Sequence, residues 1–594
     1  MKQIFTFLLV LVSLHTSAQT GIPVPQLAHC DTAIQQFMKR WDVLGASVAI
    51  SKEGKLVYDR AFGYADQARQ IPMQPYNLLR VASVSKPVTA IAIMKLVEDG
   101  QISLSHKVFG PNGYLQSPYY LRLITDKRIY DITVQNLLEH TAGWDRSVPC
   151  DGHSGCDPID FPLAVSKAMH APNPVGDSTL IGYLLKRGLN TAPGKHYAYS
   201  NVGYLVLGKI LEQVTHQPYE AWVAEHILRP AGVLEAHLGH NLPDARQERE
   251  TEYKGRNRKA SCYGTGQKVP LSYGGFNLEA MNAHGGWIFS ARDLVRLLLS
   301  ADGLNSRADL LSASTIETMT TPSAANPAYA KGWALADGNW KHSGYIDGTA
   351  SYLARTPDGY TWAILLNSNG TSAQFWKALD KLGRTCVQGT DSWPSHDLLP
   401  PELNASELTA TTSKTEAARL RWTNGNGTRR LVLVKADTPV DAFPQDGVAY
   451  TAHSSFGQGQ RLGLDTFVVS NEEDNDVLVR NLNPHRQYYA RVVEYRQDET
   501  TNNQPVYTLE GNPTLVLNSK EPVFAVVRAS VNSLFARYFR SSSNTIVALH
   551  VPVTTRVESV ESELTPRTVY SAWPIKQAGL PQQLPSQHTE SRVN

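Results

Sequence analysis

The sequence is poor in cysteine and carries almost no excess of charge of one sign. Five cysteines in 594 residues are too few for a disulfide-dense scaffold. Lys and Arg number 56 against 54 Asp and Glu, a formal net charge of +2, so no basic field favours nucleic-acid binding. With 42% hydrophobic and 9% aromatic residues, the composition excludes a mainly disordered or collagen-like chain. A chain of this length is expected to form two or three domains.

Long hydrophobic runs are also missing. The apolar run from Ile4 to Leu14 is shorter than the roughly 20 residues that a membrane-spanning helix needs. Because it follows Lys2 and precedes small residues that end at Ala18, it is typical of a secretory signal peptide over residues 1–18. A membrane anchor is the alternative. We therefore expect a secreted or periplasmic protein without a transmembrane segment.

The few cysteines include one close pair. An exported protein can form disulfides, and Cys150 and Cys156 bracket a glycine-rich loop. This spacing predicts a small bridged ring. A metal site made with His153 is the alternative, although the spacing matches no common zinc pattern.

The first two thirds of the chain alternate strand-like and helix-like segments, which predicts one large α/β or α+β domain over residues 19–398. Ala46–Ile50 and Lys55–Tyr58 predict a hairpin, as do Ser351–Arg355 and Thr361–Leu366. Apolar residues at helical spacing predict helices over Val88–Glu98 and Asn201–Thr215.

The sequence pattern changes after this domain. Residues 399–416 are predicted to be a linker, and residues 417–516 to be an all-β sandwich, with residues 517–594 ending in a disordered tail. The sandwich resembles a fibronectin type III domain through Trp422 and the Leu482, Pro484 and Tyr488 spacing. The resemblance makes Tyr488 the tyrosine of the corner. Five short β-rich runs support the sandwich: Arg419–Thr423, Leu431–Lys435, Thr466–Ser470, Val477–Arg480 and Tyr488–Tyr495.

A Ser-x-x-Lys tetrad, Ser83 to Lys86, directly precedes the first predicted helix. Residues three positions apart at a helix start share one face, and a partly desolvated lysine can take the serine proton. The amides at the helix start suit an oxyanion. The alternative is a helix start with Ser83 as cap and Lys86 in solvent.

Two further motifs follow in the chain. Tyr199-Ser200-Asn201 offers a phenol that neighbouring cations could deprotonate, and an amide for a substrate carbonyl or for Lys86. His342-Ser343-Gly344-Tyr345 offers a close backbone approach at Gly344. The Tyr345 amide would be the second oxyanion donor beside that of Ser83. Read alone, the three side chains are a core aromatic, a helix cap and an exposed strand residue: Tyr199, Asn201 and His342.

In this order the motifs resemble those of the penicillin-recognising serine hydrolases, specifically the β-lactamase-related family of class C β-lactamases, D-aminopeptidases, DD-carboxypeptidases and esterases. The resemblance extends from about Cys30 to Gly383. Three other stretches share it: Arg80–Ala82, Ile132–Gly143 and Gly285–Leu294. It implies a β-lactamase/transpeptidase-like fold, an antiparallel sheet with helices on its faces plus a helical subdomain.

The resemblance also implies the roles. Ser83 would be the nucleophile, Lys86 and Tyr199 would share general acid–base duty, and Asn201 would orient the substrate. His342 would stand at the position of the lysine in the family's Lys-Thr-Gly triplet. The resemblance implies structural roles for His140 and His284, and neither a metal nor another cofactor.

His342 is a departure from that triplet. A lysine is a permanent cation that suits a substrate carboxylate, whereas a histidine is mostly neutral near pH 7. The sequence therefore predicts an enzyme for small esters or D-amino-acid peptides that cleaves β-lactams poorly.

Several alternatives remain. One is a true class C-like β-lactamase or DD-carboxypeptidase acting on β-lactams or cell-wall peptides. Another is a non-catalytic module that senses cell-wall fragments. A third is an adhesion protein in which the sandwich contacts carbohydrate or a surface.

Overall fold

Strands from both ends of the predicted domain 19–398 pair in one antiparallel sheet. The computed structural model describes residues 19–412 and 416–517, which fall within one compact unit. The predicted signal peptide and the tail from residue 518 lie outside the described residues. The sheet order is Gln19–Thr20, Lys55–Asp66, Gly45–Lys52, Tyr360–Leu366, Thr349–Arg355, Asn339–Ile346 and Ala334–Ala336, with Ile71–Pro72 added beside Lys55–Asp66.

Helices cover both faces of this sheet, because its central strands are apolar on both sides. On one face, Ala28–Trp41 and Ala373–Gln388 pack on Val48, Ile50 and Ile364. A disulfide between Cys30 and Cys386 links these two helices, a pairing that the sequence analysis did not predict. The α-helices are Ala28–Trp41, Ser85–Glu98, Pro118–Leu121, Val134–Leu138, Pro162–Met169, Asp177–Arg187, Asn201–Thr215, Tyr219–Val223, Asn282–Gly285, Ala291–Leu299, Ala313–Thr320 and Ala373–Gln388.

The opposite face carries the helix that follows the Ser-x-x-Lys tetrad. Its apolar residues Val88, Ile91 and Ile93 join the largest hydrophobic core, together with Leu353 and Leu365 of the sheet. A small sheet of Leu79–Arg80, Trp287–Phe289 and His237–Leu238 leads into the tetrad, and Arg258–Ala260 pairs with Lys268–Pro270 nearby along the chain. The predicted antiparallel sheet with helices on its faces and a helical subdomain is confirmed.

The C-terminal region forms two sheets that share one core. Trp422 and Leu420 of the first sheet pack against Val432, Val434 and Val492 of the second. The first sheet contains Ser406–Thr412, Ala418–Thr423 and Asp476–Val479. The second contains Arg461–Leu462, Thr466–Glu472, Arg429–Ala436, Tyr488–Arg496, Val506–Tyr507 and Thr514–Leu517. The five predicted strands are present, and the Tyr488 hydroxyl accepts a hydrogen bond from the Asn483 amide at 2.9 Å.

The predicted linker 399–416 is wrong in one part. Ser406–Thr412 is a strand that pairs with Ala418–Thr423. Leu408 is buried there and Ala410 packs on the same core, so alternation of small apolar residues with β-favouring threonines outweighs the turn-like composition.

Candidate active site

Ser83 lies on a tight turn, and its side chain does not cap the helix that follows. The turn Ala82–Val84 is a 3-10 helix that leads into the helix Ser85–Glu98. Val84 occupies the cap position, and the helix start has no side-chain cap. Ala82 has φ +46°, a left-handed conformation that is uncommon for a residue with a Cβ. The capping alternative for Ser83 is therefore wrong, and its hydroxyl is free for other contacts.

The strand that carries the third motif lies directly against this turn. A Cβ built on Gly344 would lie 2.2 Å from the Val81 carbonyl oxygen and 3.1 Å from the Ser83 amide nitrogen, so only glycine fits. Ser351, which pairs with Gly344 across the hairpin, donates its hydroxyl to the Val81 carbonyl at 2.7 Å. The backbone that leads into Tyr345 thus lies beside the amide of Ser83.

Lys86 is enclosed by three hydrogen-bond acceptors. Its Nζ lies 3.1 Å from Ser83 Oγ, 2.8 Å from Asn201 Oδ1 and 2.8 Å from the His284 carbonyl oxygen. The residue is 0% exposed, which rules out the solvent-facing alternative. The carbonyl oxygens of Asn201 and His284 accept hydrogen bonds but cannot donate them. Two N–H groups of Lys86 are therefore committed to them, and the third position on Nζ faces Ser83.

The electrostatic surroundings favour the neutral form of Lys86. Burial is the main reason that its pKa lies well below the usual lysine value, and the charge of Arg146 lowers it further, while Asp157 opposes the shift. Asp157 is linked to Lys86 through Asn201, since Asn201 Nδ2 donates to Asp157 Oδ2 at 2.6 Å. Arg146 in turn lies 3.7 Å from the same carboxylate oxygen.

Asn201 is available for this network because another residue caps its helix. The helix Asn201–Thr215 has Ser200 as its N-cap, and the Ser200 hydroxyl accepts from the Gly203 amide at 3.2 Å. The helix bounds match the sequence prediction, whereas the capping alternative for Asn201 is wrong by one residue.

Tyr199 contacts both the nucleophile and two cations. Its hydroxyl is hydrogen-bonded to Ser83, and its ring centre lies 4.9 Å from Lys86 Nζ and 4.6 Å from the Arg146 guanidinium. Burial nevertheless raises the pKa of Tyr199 well above its usual value, and the hydrogen bond with Ser83 and the charge of Arg146 offset only part of that rise. Desolvation thus outweighs the attraction of the two cations, and the expected lowering of the Tyr199 pKa is not found.

His342 is buried rather than exposed on its strand, being 7% exposed. Its Nδ1 lies 2.9 Å from the Ser343 carbonyl oxygen and must therefore donate. Its Nε2 lies 3.4 Å from the Tyr329 hydroxyl, which lies 3.1 Å from His140 Nε2. His140 Nδ1 accepts from the Ser200 amide at 3.1 Å. His140 thus donates to Tyr329, and Tyr329 donates to His342.

These contacts are those of a neutral His342, with Nδ1 as donor and Nε2 as acceptor. Burial is the main cause that lowers the pKa of His342 to about 3. Burial likewise holds the pKa of His140 well below its usual value. His140 is held by a backbone amide, as expected. The contribution of His284 to the site is its backbone carbonyl.

The site opens into a cleft of about 610 Å³. The structure brings Ser83, Tyr199, Asn201, His342 and Tyr345 together in its lining, with Lys86 directly beneath Ser83. Charged and apolar residues line the remainder: Arg146, Asp157, Ile159, Asp160, Lys259, Leu271, Gly275, Phe276, Met281, Ser343, Ile346, Asp347 and Trp376.

Sequence reasoning missed several of these residues. Arg146 and Asp157 flank the disulfide-closed loop between Cys150 and Cys156, and Tyr329 stands in a segment without a motif. The only available signal was that Asp157 directly follows the predicted ring. The predicted disulfide is confirmed, so the alternative metal site at these cysteines is wrong. In the part of the chain that the structure describes, no group of three or more His, Cys, Asp or Glu residues could hold a metal ion.

The fold and this cleft agree with a family comparison. A family model described as Beta-lactamase matches residues 30–383, which is more than half of the 594 residues. The chain belongs to the beta-lactamase family.

Individual relatives are distant. Protein flp of Staphylococcus aureus (strain MW2) is 26% identical over 347 residues, which cover 57% of this chain and 62% of that protein. The putative penicillin-binding protein PbpX of Bacillus subtilis (strain 168) is 25% identical over 361 residues, or 59% of this chain and 76% of that protein. The match to Protein flp thus covers less than two thirds of its length.

Two solved structures are similar to part of this chain. The D-amino acid amidase from Ochrobactrum anthropi SV3, complexed with L-phenylalanine, has a TM-score of 0.47 and 21% identity, covering 61% of this chain and 98% of that chain. EstCE1, described as a hydrolase with promiscuous acyltransferase activity, has a TM-score of 0.46 and 21% identity, covering 60% and 98%.

Proposed function

We propose that this protein is a serine hydrolase that forms an acyl-enzyme on Ser83 and acts on small esters or on D-amino-acid amides and peptides. The observation that carries the proposal is the surroundings of Lys86. Two carbonyl oxygens take two of its N–H groups, so the third position on Nζ, which faces Ser83 Oγ at 3.1 Å, is a lone pair when the amine is neutral. A neutral amine at hydrogen-bond distance from a serine hydroxyl is a general base.

The reaction follows from this geometry. Lys86 accepts the Ser83 proton as Oγ attacks the substrate carbonyl, and the oxyanion is stabilised by the amides of Ser83 and Tyr345. The Tyr199 phenol, which stays protonated, passes a proton to the leaving group and is resupplied from Lys86. Water then attacks the acyl-enzyme by the same steps in reverse order. Asn201 holds Lys86 and offers its amide edge to the substrate.

The state of His342 supports an uncharged end on the substrate. Its Nδ1–H is committed to the Ser343 carbonyl and its Nε2 accepts from Tyr329, so it has neither a charge nor a free donor for a carboxylate. We therefore propose poor β-lactam turnover. Lys259, an exposed cation at the cleft, favours the second candidate, a β-lactamase or DD-carboxypeptidase that binds a substrate carboxylate there. A non-catalytic sensor of cell-wall fragments is the candidate of another class.

The experiment is hydrolysis of p-nitrophenyl acetate, with nitrocefin and benzylpenicillin alongside. We expect ester turnover that Ser83→Ala abolishes. Ser85→Ala is the matched control, because Ser85 Oγ accepts from the Trp287 amide at 3.2 Å and Ser85 does not line the cleft. Nitrocefin turnover faster than ester turnover would favour the β-lactamase candidate. Acylation of Ser83 by penicillin without turnover of any substrate would favour the sensor.

We also propose that the protein is secreted or periplasmic, with residues 1–18 as signal peptide, and that the C-terminal sandwich is of fibronectin type III kind and serves as a spacer or contacts carbohydrate or a surface. The described residues contain no helix that is both long and apolar enough to cross a membrane. Fractionation of cells that express the full chain tests the location, since removal of residues 1–18 should leave the protein in the cytosol.

A further inference from the structure

One wall of the cleft is a hydrophobic cluster that is separate from the cores on the two sheet faces. Phe276, Leu278 and Met281 are buried in it, and Leu271 and Ile346 pack against them. All of these except Leu278 also line the cleft beside Ser83. The cluster therefore presents an apolar surface to whatever occupies the cleft.

An aromatic pair forms another part of the lining. Tyr345 is 45% exposed, and its ring centre lies 6.1 Å from that of Trp376 at an interplanar angle of 84°. Trp376 is anchored by Phe375, whose ring centre lies 5.2 Å away. Because the Tyr345 amide is the proposed oxyanion donor, the aromatic pair lies next to the position that the scissile carbonyl would occupy.

Three charged side chains of the cleft lining have a hydrogen-bond or ion-pair partner among the described residues. Arg146 lies 3.7 Å from Asp157, Lys259 donates to the Asp160 carbonyl, and Asp347 accepts from Asn257 Nδ2 at 2.8 Å. A cleft of this size suits a ligand much larger than acetyl, and burial of apolar surface is the main attraction that this wall offers.

We propose that Leu271, Phe276, Met281 and Ile346, with Tyr345 and Trp376, form a subsite for an extended, uncharged apolar group attached to the scissile carbonyl. This inference rests on the proposed function and specifies its substrate class. The group is either the alkyl chain of an acyl ester or the apolar side chain of a D-amino acid, which share the same chemistry.

A chain-length series tests the subsite. For p-nitrophenyl acetate, butyrate and hexanoate, we expect kcat/KM to rise about fourfold for each buried methylene. We expect Trp376→Ala and Phe276→Ala each to lower the hexanoate-to-acetate ratio about tenfold while acetate turnover persists. Trp41→Ala is the matched control, since Trp41 packs on the same Phe375 at 5.6 Å but does not line the cleft. The p-nitroanilides of D-phenylalanine and D-alanine form the second arm and distinguish an amino-acid side chain from an alkyl chain.

The subsite and the proposed function fail in different ways. A kcat/KM that is flat or falls with chain length overturns the subsite, even where Ser83→Ala abolishes acetate turnover. Absence of turnover contradicts the proposed function, and the subsite is then judged by calorimetry of hexanamide and acetamide on folded Ser83→Ala protein. Tighter binding of hexanamide supports the subsite, and equal affinities overturn it.

Discussion

Lys86 illustrates how burial converts an ordinary residue into a reactive one. A fully buried ammonium loses its hydration, and its surroundings supply two carbonyl oxygens and a serine hydroxyl but no carboxylate within ion-pair distance among the described residues. The loss of hydration lowers its pKa. Once Lys86 has lost its proton, its amine can accept the proton of Ser83, as a general base must.

The first prediction concerns Lys86→Arg. An arginine cannot lose its proton in a protein, so we expect kcat/KM for p-nitrophenyl acetate to fall about 10²- to 10⁴-fold. In the wild type, kcat/KM should rise with pH as Lys86 deprotonates, with a midpoint well below the usual lysine pKa. Lys95→Arg is the control, because Lys95 lies on the same helix and pairs with Asp99 at 2.6 Å. A Lys86→Arg enzyme with wild-type activity would contradict the assignment.

The second prediction concerns Tyr329→Phe. This change removes the hydroxyl that donates to His342 Nε2 and leaves the ring, so we expect a five- to tenfold lower kcat/KM, about 1 kcal/mol. His342 would also lose a fixed partner, and its ring resonances in an NMR titration should become sensitive to pH. Tyr360→Phe, a tyrosine outside the cleft lining, is the control. Unchanged kinetics and an unchanged His342 titration would show that the hydroxyl has no positioning role.

At the scale of elements, the site depends on how closely a strand approaches the start of a helix. Neither element contains the reaction centre alone, since Ser83 and Lys86 stand at the helix start and the second oxyanion donor stands on Asn339–Ile346. Gly344 allows the two backbones to meet, because a side chain there would collide with the Val81 carbonyl. A strand with any other residue at this position would be held away from the nucleophile.

The third prediction is therefore that Gly344→Ala impairs acylation more than stability. A displaced strand weakens an oxyanion donor, and loss of one donor costs about 10²- to 10³-fold in kcat. Thermal unfolding should shift only modestly, because the sheet keeps its pairing. Gly176→Ala serves as control, since a Cβ there would meet nothing within 4 Å. The same kcat for Gly344→Ala and Gly176→Ala would show that the close approach of the strand at Gly344 is not needed for catalysis.

At the scale of the molecule, the C-terminal sheets are joined to the hydrolase region by buried ion pairs. Arg292 lies 3.2 Å from Asp59 and 2.8 Å from Asp446 of the C-terminal region, and Arg249 lies 3.3 Å from Glu510. One guanidinium thus faces two buried carboxylates. Burial raises the pKa of Asp59 to about 7, although Arg292 opposes the shift.

The fourth prediction follows from this raised pKa. Between the unfolded value near 4 and about 7, folded Asp59 holds a proton that the unfolded chain has released. The free energy of unfolding should therefore fall as pH rises through this window, by at most about 1.4 kcal/mol per pH unit. Asp59→Asn should flatten the dependence, whereas the exposed Asp358→Asn should not. Urea unfolding at several pH values measures this pH dependence of the free energy of unfolding. The same dependence for Asp59→Asn and wild type would contradict the prediction.

The sequence by itself determined the local structure and the chemical inventory. The resemblance of three motifs to those of a known family implied that Ser83, Tyr199 and His342 would meet in one cleft. Helical and alternating patterns predicted Asn201–Thr215 and the two hairpins. These signals suffice because periodicity and turn residues act over a few neighbouring positions.

Only the tertiary structure decided how the groups act. It showed that Lys86 is buried against the His284 carbonyl, that Tyr199 lines the cleft with Ser83, and that the Tyr329 hydroxyl lies within hydrogen-bond distance of His342. It also placed a strand at Ser406–Thr412, where the composition indicates a linker. The physical reason is that burial, pKa and the choice of partner depend on groups far apart in sequence, and packing alone brings those groups within hydrogen-bond distance.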